Sequence, residues 1–131
     1  MPKARVNGIE IAYDYLQTKS HHAGDPPIVL IHGFPYSRAM WAEQVKELGE
    51  EFQVITYDLR GHGESQVAPG PYTMELLADD LKALLDHLRV QKVALGGFSM
   101  GGCLALHVAY GCGRHAGKLA LCISTSTGLG T

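Results

Sequence analysis

The sequence predicts an α/β fold built on a mostly parallel sheet. Three observations point there. Short apolar runs, Ile28 to Ile31, Phe52 to Tyr57, Val93 to Leu95 and Leu119 to Ile123, have the continuous hydrophobicity of strands covered on both faces. These runs alternate with segments of helical periodicity, the pattern of right-handed βαβ units. The run at Val93 leads into a glycine-flanked turn at Ser99, and an apolar helix is predicted immediately behind it.

Lys3 to Leu16 alternates apolar and polar residues around Asn7-Gly8. Two strands joined by a tight hairpin turn are expected, because Asn-Gly accepts the positive φ angles such turns require. Gln17 to Pro27 is polar, with His21, His22, Gly24 and two prolines, and reads as a loop. After Ile28 to Ile31, His32-Gly33-Phe34-Pro35 lies at the strand's C-terminal end, where open α/β sheets bind ligands. Ser37 is placed to cap a helix running to about Leu48, with Trp41, Val45 and Leu48 at helical spacing and Gly49 as its stop. Asp58 to Ser65 follows the next strand as a turn. Thr73 is placed to cap a helix from Met74 to Leu88, in which Leu77, Leu81, Leu84, Leu85 and Leu88 form one apolar stripe. The acidic residues of that helix, Asp80 among them, are expected on its solvated face. A glycine-rich connection, Gly111 to Gly117, separates the helix after Ser99 from the last strand.

The chain has 131 residues, 46% of them hydrophobic and 18% charged, which suits one globular domain over 1–131. A formal net charge of −2 offers no basic footprint for nucleic acid. No run approaches the ~20 apolar residues of a membrane span. The N-terminus lacks the apolar core of a secretion signal. Cys103, Cys112 and Cys122 form no Cys-x-x-Cys pair and are expected as free thiols in a reducing cytoplasm, with Cys103 a packing residue.

Gly97-Phe98-Ser99-Met100-Gly101 fits the Gly-x-Ser-x-Gly pattern, whose mechanics are physical. A strand that reverses into a helix within about two residues forces the serine into a strained backbone and pushes its hydroxyl clear of the sheet. Side chains two positions before and after would collide there. The helix then turns its unpaired N–H groups and positive dipole end toward whatever sits on the serine.

Together with this turn, Ile28-Val-Leu-Ile-His-Gly-Phe-Pro35 and Val54-Ile-Thr-Tyr-Asp-Leu-Arg-Gly-His-Gly-Glu-Ser65 resemble the first half of an α/β-hydrolase of the esterase or perhydrolase type. The resemblance implies about six strands in the order 1-2-4-3-5-6, with strand 2 antiparallel, a truncated version of the family's sheet. It implies Ser99 as the nucleophile of a hydrolase of carboxylic esters, acting through an acyl-serine intermediate. The amides of Phe34 and Met100 would form the oxyanion hole, and no cofactor or metal is implied. Asp58 and Arg60 match positions that brace their loop. Serine at the elbow separates the chain from the epoxide-hydrolase and dehalogenase branches, which carry aspartate there.

The resemblance also implies an acid and a base histidine after later strands, and no Asp, Glu or His follows Ile123. Of the seven histidines, His107 lies eight residues along the helix from Ser99, about 12 Å away. His21, His22 and His115 fall on loops at the opposite end of the sheet, and His87 near the far end of its helix. His32 and His62 sit at the correct edge, in positions that are structural in the family. Without a base, Ser99 is a weak nucleophile. A second expectation therefore stands beside the enzyme: a non-catalytic, truncated or engineered half-fold that works as an assembly module. Leu119 to Ile123 would lie at an open sheet edge, so a homo-oligomer through that strand is expected alongside a small ester substrate.

Overall fold

The computed structural model describes residues 2–17, 26–110 and 119–125. The hairpin comes first. β1 (Lys3–Val6) and β2 (Ile9–Leu16) pair antiparallel across a turn in which Asn7 and Gly8 take φ of +49° and +82°. Two positive φ angles in succession give a turn whose twist matches that of the strands. β3 (Ile28–Ile31), β4 (Val54–Tyr57), β5 (Val93–Phe98) and β6 (Leu119–Thr125) complete a sheet of six strands in the order β1-β2-β4-β3-β5-β6. β2 runs antiparallel to β4, and every pairing from β4 to β6 is parallel. Order and direction match the expected topology. Of the loop expected over Gln17 to Pro27, residues 18–25 lie outside the described residues, as does the whole glycine-rich connection expected over Gly111 to Gly117, and His21, His22, His115 and Cys112 with them.

The helices follow from their caps. Ser37 does cap, its Oγ accepting from Ala39 N at 3.3 Å. The segment it opens is not one helix. A single 3-10 turn, Arg38–Trp41, precedes α1 (Ala42–Leu48), which ends at Gly49. The Arg38 side chain, drawn inward to Asp58 at the start of this segment, accompanies the tighter first turn. α2 (Met74–His87) starts at Thr73, whose Oγ1 accepts from Leu76 N at 3.0 Å. α3 (Met100–Tyr110) begins directly after Ser99.

The core joins the central strands to α2 and α3. Val29, Ile31, Ile55 and Leu95 pack with Leu77, Leu81, Leu84 and Leu85 of α2 and with Leu104 and Val108 of α3. Asp80 is the exception on the apolar stripe. It is buried, not solvated as its charge suggests, and Arg60 and Asn7 surround it. Cys103, expected to pack, is exposed on α3 and carries a free thiol. No helix among the described residues is long and apolar enough to cross a membrane.

Candidate active site

The turn between β5 and α3 has the geometry its glycines demand. Ser99 sits at φ +56°, in the left-handed region that side chains avoid, with strand on one side and helix on the other. A Cβ on Gly97 would reach the backbone of Gly101 and come within 2.5 Å of Gly102 N. One on Gly101 would strike the carbonyl of Ile31 and lie 2.5 Å from that of His32. The two glycines let α3 and the end of β3 close on the turn from both sides. Gly33 does the same for its own loop, since a Cβ there would lie 2.8 Å from Phe98 O and 3.2 Å from Ser99 Cβ. The loop after β3 thus rests directly on the serine.

This contact brings the loop that carries Phe34 against Ser99. Phe34 follows Gly33, and Met100 is the first residue of α3, where a helix leaves its N–H groups without intrahelical partners. Among the described residues, neither amide donates to a protein group. Both residues line one cavity of about 460 Å³, whose walls include Tyr36, His62, Tyr72 and Leu77. The cavity adjoins Ser99 through Met100. The Phe34 ring is 67% exposed and meets the His62 ring edge-on, with centroids 5.7 Å apart.

The loop after β4 is braced from within. Asp58 Oδ1 accepts from Arg38 N at 2.7 Å, and Oδ2 accepts from Glu64 N at 2.8 Å and from the Arg38 guanidinium. Ser65 Oγ donates to Asp58 O at 2.6 Å and accepts from Ala12 N at 2.9 Å, tying the loop to β2. Arg60 grips Asp80 through two bonds of 2.8 Å. That hydrogen-bonded pairing is the main reason the Arg60 guanidinium holds its proton even more firmly than usual. Asp58 and Arg60 are therefore framework groups, as the resemblance implied.

The histidines separate by their nitrogens. His32 is fully buried. Its Nδ1 donates to Gly33 O at 2.8 Å, so its Nε2 is the acceptor, taking Leu59 N–H at 3.0 Å. No lone pair remains for proton abstraction, and burial above all pushes its pKa down, keeping the ring neutral. His32 orients two loops and cannot be the base. His62 Nδ1 donates to Arg60 O at 3.0 Å, but its Nε2 is buried with no partner among the described residues. His107 is half-buried along α3 and His87 exposed at the end of α2, consistent with their exclusion.

In sequence Asp80 reads as one of a polar set. The signal against that was its register: three residues after Leu77 and four before Leu84, it falls on the buried stripe.

Residues 26–118 match the family described as alpha/beta hydrolase fold. The chain belongs to that family. A thermophilic esterase from Thermogutta terrifontis superposes with a TM-score of 0.80 at 43% identity, over 95% of this chain and 45% of that one. The 3-oxoadipate enol-lactonase 2 of Acinetobacter baylyi is 37% identical over 89 residues, 65% of this chain and 33% of the relative. The soluble epoxide hydrolase of Corynebacterium sp. (strain C12) is 38% identical over 84 residues, 64% of this chain and 29% of the relative. This α/β hydrolase thus spans about a third of the length of those curated relatives and under half of that solved chain. Relatives of more than one chemistry are thus similar to this chain.

Proposed function

We propose that this α/β hydrolase is a serine hydrolase of carboxylic esters. The observation that carries the reading is Ser99 at φ +56° between β5 and α3. A serine there has an alkoxide-forming hydroxyl, whereas aspartate would supply a carboxylate nucleophile for epoxide opening. Ser99 Oγ attacks the ester carbonyl and the amides of Phe34 and Met100 receive the oxyanion. The tetrahedral intermediate then collapses, the alcohol leaves with the proton, and an acyl-Ser99 ester remains. Water releases the acid in a second step. The esterase and enol-lactonase among the relatives support ester chemistry. The free thiol of Cys103 suits a reducing, cytoplasmic setting.

With His32 committed to other bonds and no base in contact with Ser99 among the described residues, acyl release is expected to be slow. An activated short-chain ester such as p-nitrophenyl acetate should then give a burst approaching one equivalent of p-nitrophenol, followed by slow turnover. Ser99→Ala should remove the burst. Equal traces from the two proteins would overturn the assignment.

A second reading rests on β6, which pairs with β5 and with no other strand among the described residues. We propose that Leu119 to Ile123, within β6, pairs with a second copy, since an open strand edge offers unpaired backbone groups. Light scattering at roughly 50 μM, in the range where exposed edges associate, should give a mass above that of one chain. A monomer of constant mass at that concentration would contradict the proposal.

A further inference from the structure

Three buried polar side-chain atoms have no hydrogen-bond partner among the described residues: Trp41 Nε1, Tyr57 Oη and His62 Nε2. Of these residues His62 alone lines the cavity beside the elbow. Its ring is oriented from two sides. Nδ1–H is spent on Arg60 O at 3.0 Å, so in the neutral ring the proton sits on Nδ1 and Nε2 is the acceptor. The ring centroid lies 5.1 Å from that of His32 and 5.7 Å from that of Phe34. A held ring with a desolvated, unused lone pair is costly to maintain without a ligand that repays it.

Most of the other side chains around that cavity are apolar or aromatic, with Phe34, Tyr36, Tyr72, Leu77 and Met100 among its walls. The Tyr72 hydroxyl is already engaged, donating to Ala68 O at 2.8 Å. The Phe34 ring beside His62 is mostly exposed and meets it edge-on, so it is a neighbour with room to move.

We infer that His62 Nε2 is the polar anchor of this cavity, accepting a hydrogen bond from a hydroxyl or N–H group on an otherwise apolar ligand. Taking Ser99 as the reacting group, as proposed above, the substrate class becomes esters whose apolar acyl or alcohol portion carries one such donor. His62 is then a ligand-binding residue that selects substrate.

Benzyl alcohol and benzyl methyl ether share a ring and differ in the donor. Their dissociation constants are measured by NMR titration in the Ser99→Ala protein, so that no reaction intervenes. The alcohol-over-ether preference should be about 5-fold greater with His62 present than in the His62→Phe variant, as one hydrogen bond requires. His62→Gln, which returns an acceptor near the same place, should restore part of it. In the unsubstituted protein the His62 Nε2 resonance should move on adding the alcohol and stay with the ether. This last readout serves if His62→Phe fails to fold. An unchanged preference in folded His62→Phe, or a still Nε2 resonance under saturating alcohol, would overturn the inference. The hydrolase reading fails separately, by loss of the Ser99-dependent burst, and the binding preference could survive that loss.

Discussion

Gly101→Ala is expected to destabilise the protein by about 3 kcal/mol, at the upper end for overpacking a tight site. Two effects oppose each other at this position. Gly101 lies in the first turn of α3, and alanine is the better helix former by about 1 kcal/mol. The added Cβ, however, would drive into the carbonyls of Ile31 and His32. Those are backbone atoms of β3 and its loop, so no rotamer change relieves the clash. The collision outweighs the propensity gain. Urea unfolding should show a lower midpoint with an unchanged slope, because the surface exposed on unfolding stays the same. The variant should also lose the acyl burst, since α3 can only make room by backing away from the serine. A Gly101→Ala protein as stable as the parent would mean that β3 and α3 do not meet at the elbow.

Asp80→Ala should cost about 3–5 kcal/mol, the usual result of leaving one partner of a buried ion pair alone. The Asp80 side chain is 1% exposed and that of Arg60 is 7% exposed. The pair joins the loop after β4 to α2, and Asn7 Nδ2 adds a bond to Asp80 Oδ1 at 2.7 Å, drawing in the hairpin turn. Removing the carboxylate strands a guanidinium in the interior. Removing both charges does not, so Arg60→Met with Asp80→Leu should be far less damaging than the single change, and the two effects should be strongly non-additive. Chemical denaturation of the singles and the double checks this. Additive losses would mean that the two residues act independently.

What could be read from the sequence was what local chemistry determines. Asn7-Gly8 announces its turn, Ser37 and Thr73 announce their caps, and the buried strands announce themselves by unbroken apolar runs. The elbow was legible because Gly97, Ser99 and Gly101 are constrained by backbone contact alone. The misreadings concern partners distant in sequence. Asp80 looks solvated until Arg60, twenty residues earlier, is brought against it. Cys103 looks like core because α3 is apolar, yet it and Leu106, three residues on, lie on a face that remains exposed. His32 and His62 look alike on paper. Only the fold gives both nitrogens of one a hydrogen-bond partner and leaves Nε2 of the other without one among the described residues.

In the proposed reaction Ser99 offers its hydroxyl to a carbonyl held by the amides of Phe34 and Met100. A fluorophosphonate ester tests it most directly, since its adduct places an anionic-like oxygen where the oxyanion would lie. Peptide mapping should locate the phosphonyl group on Ser99, and the amide protons of Phe34 and Met100 should shift downfield further than those of other loop residues. Modification elsewhere, or a Ser99 adduct that leaves both amides where they were, would contradict it.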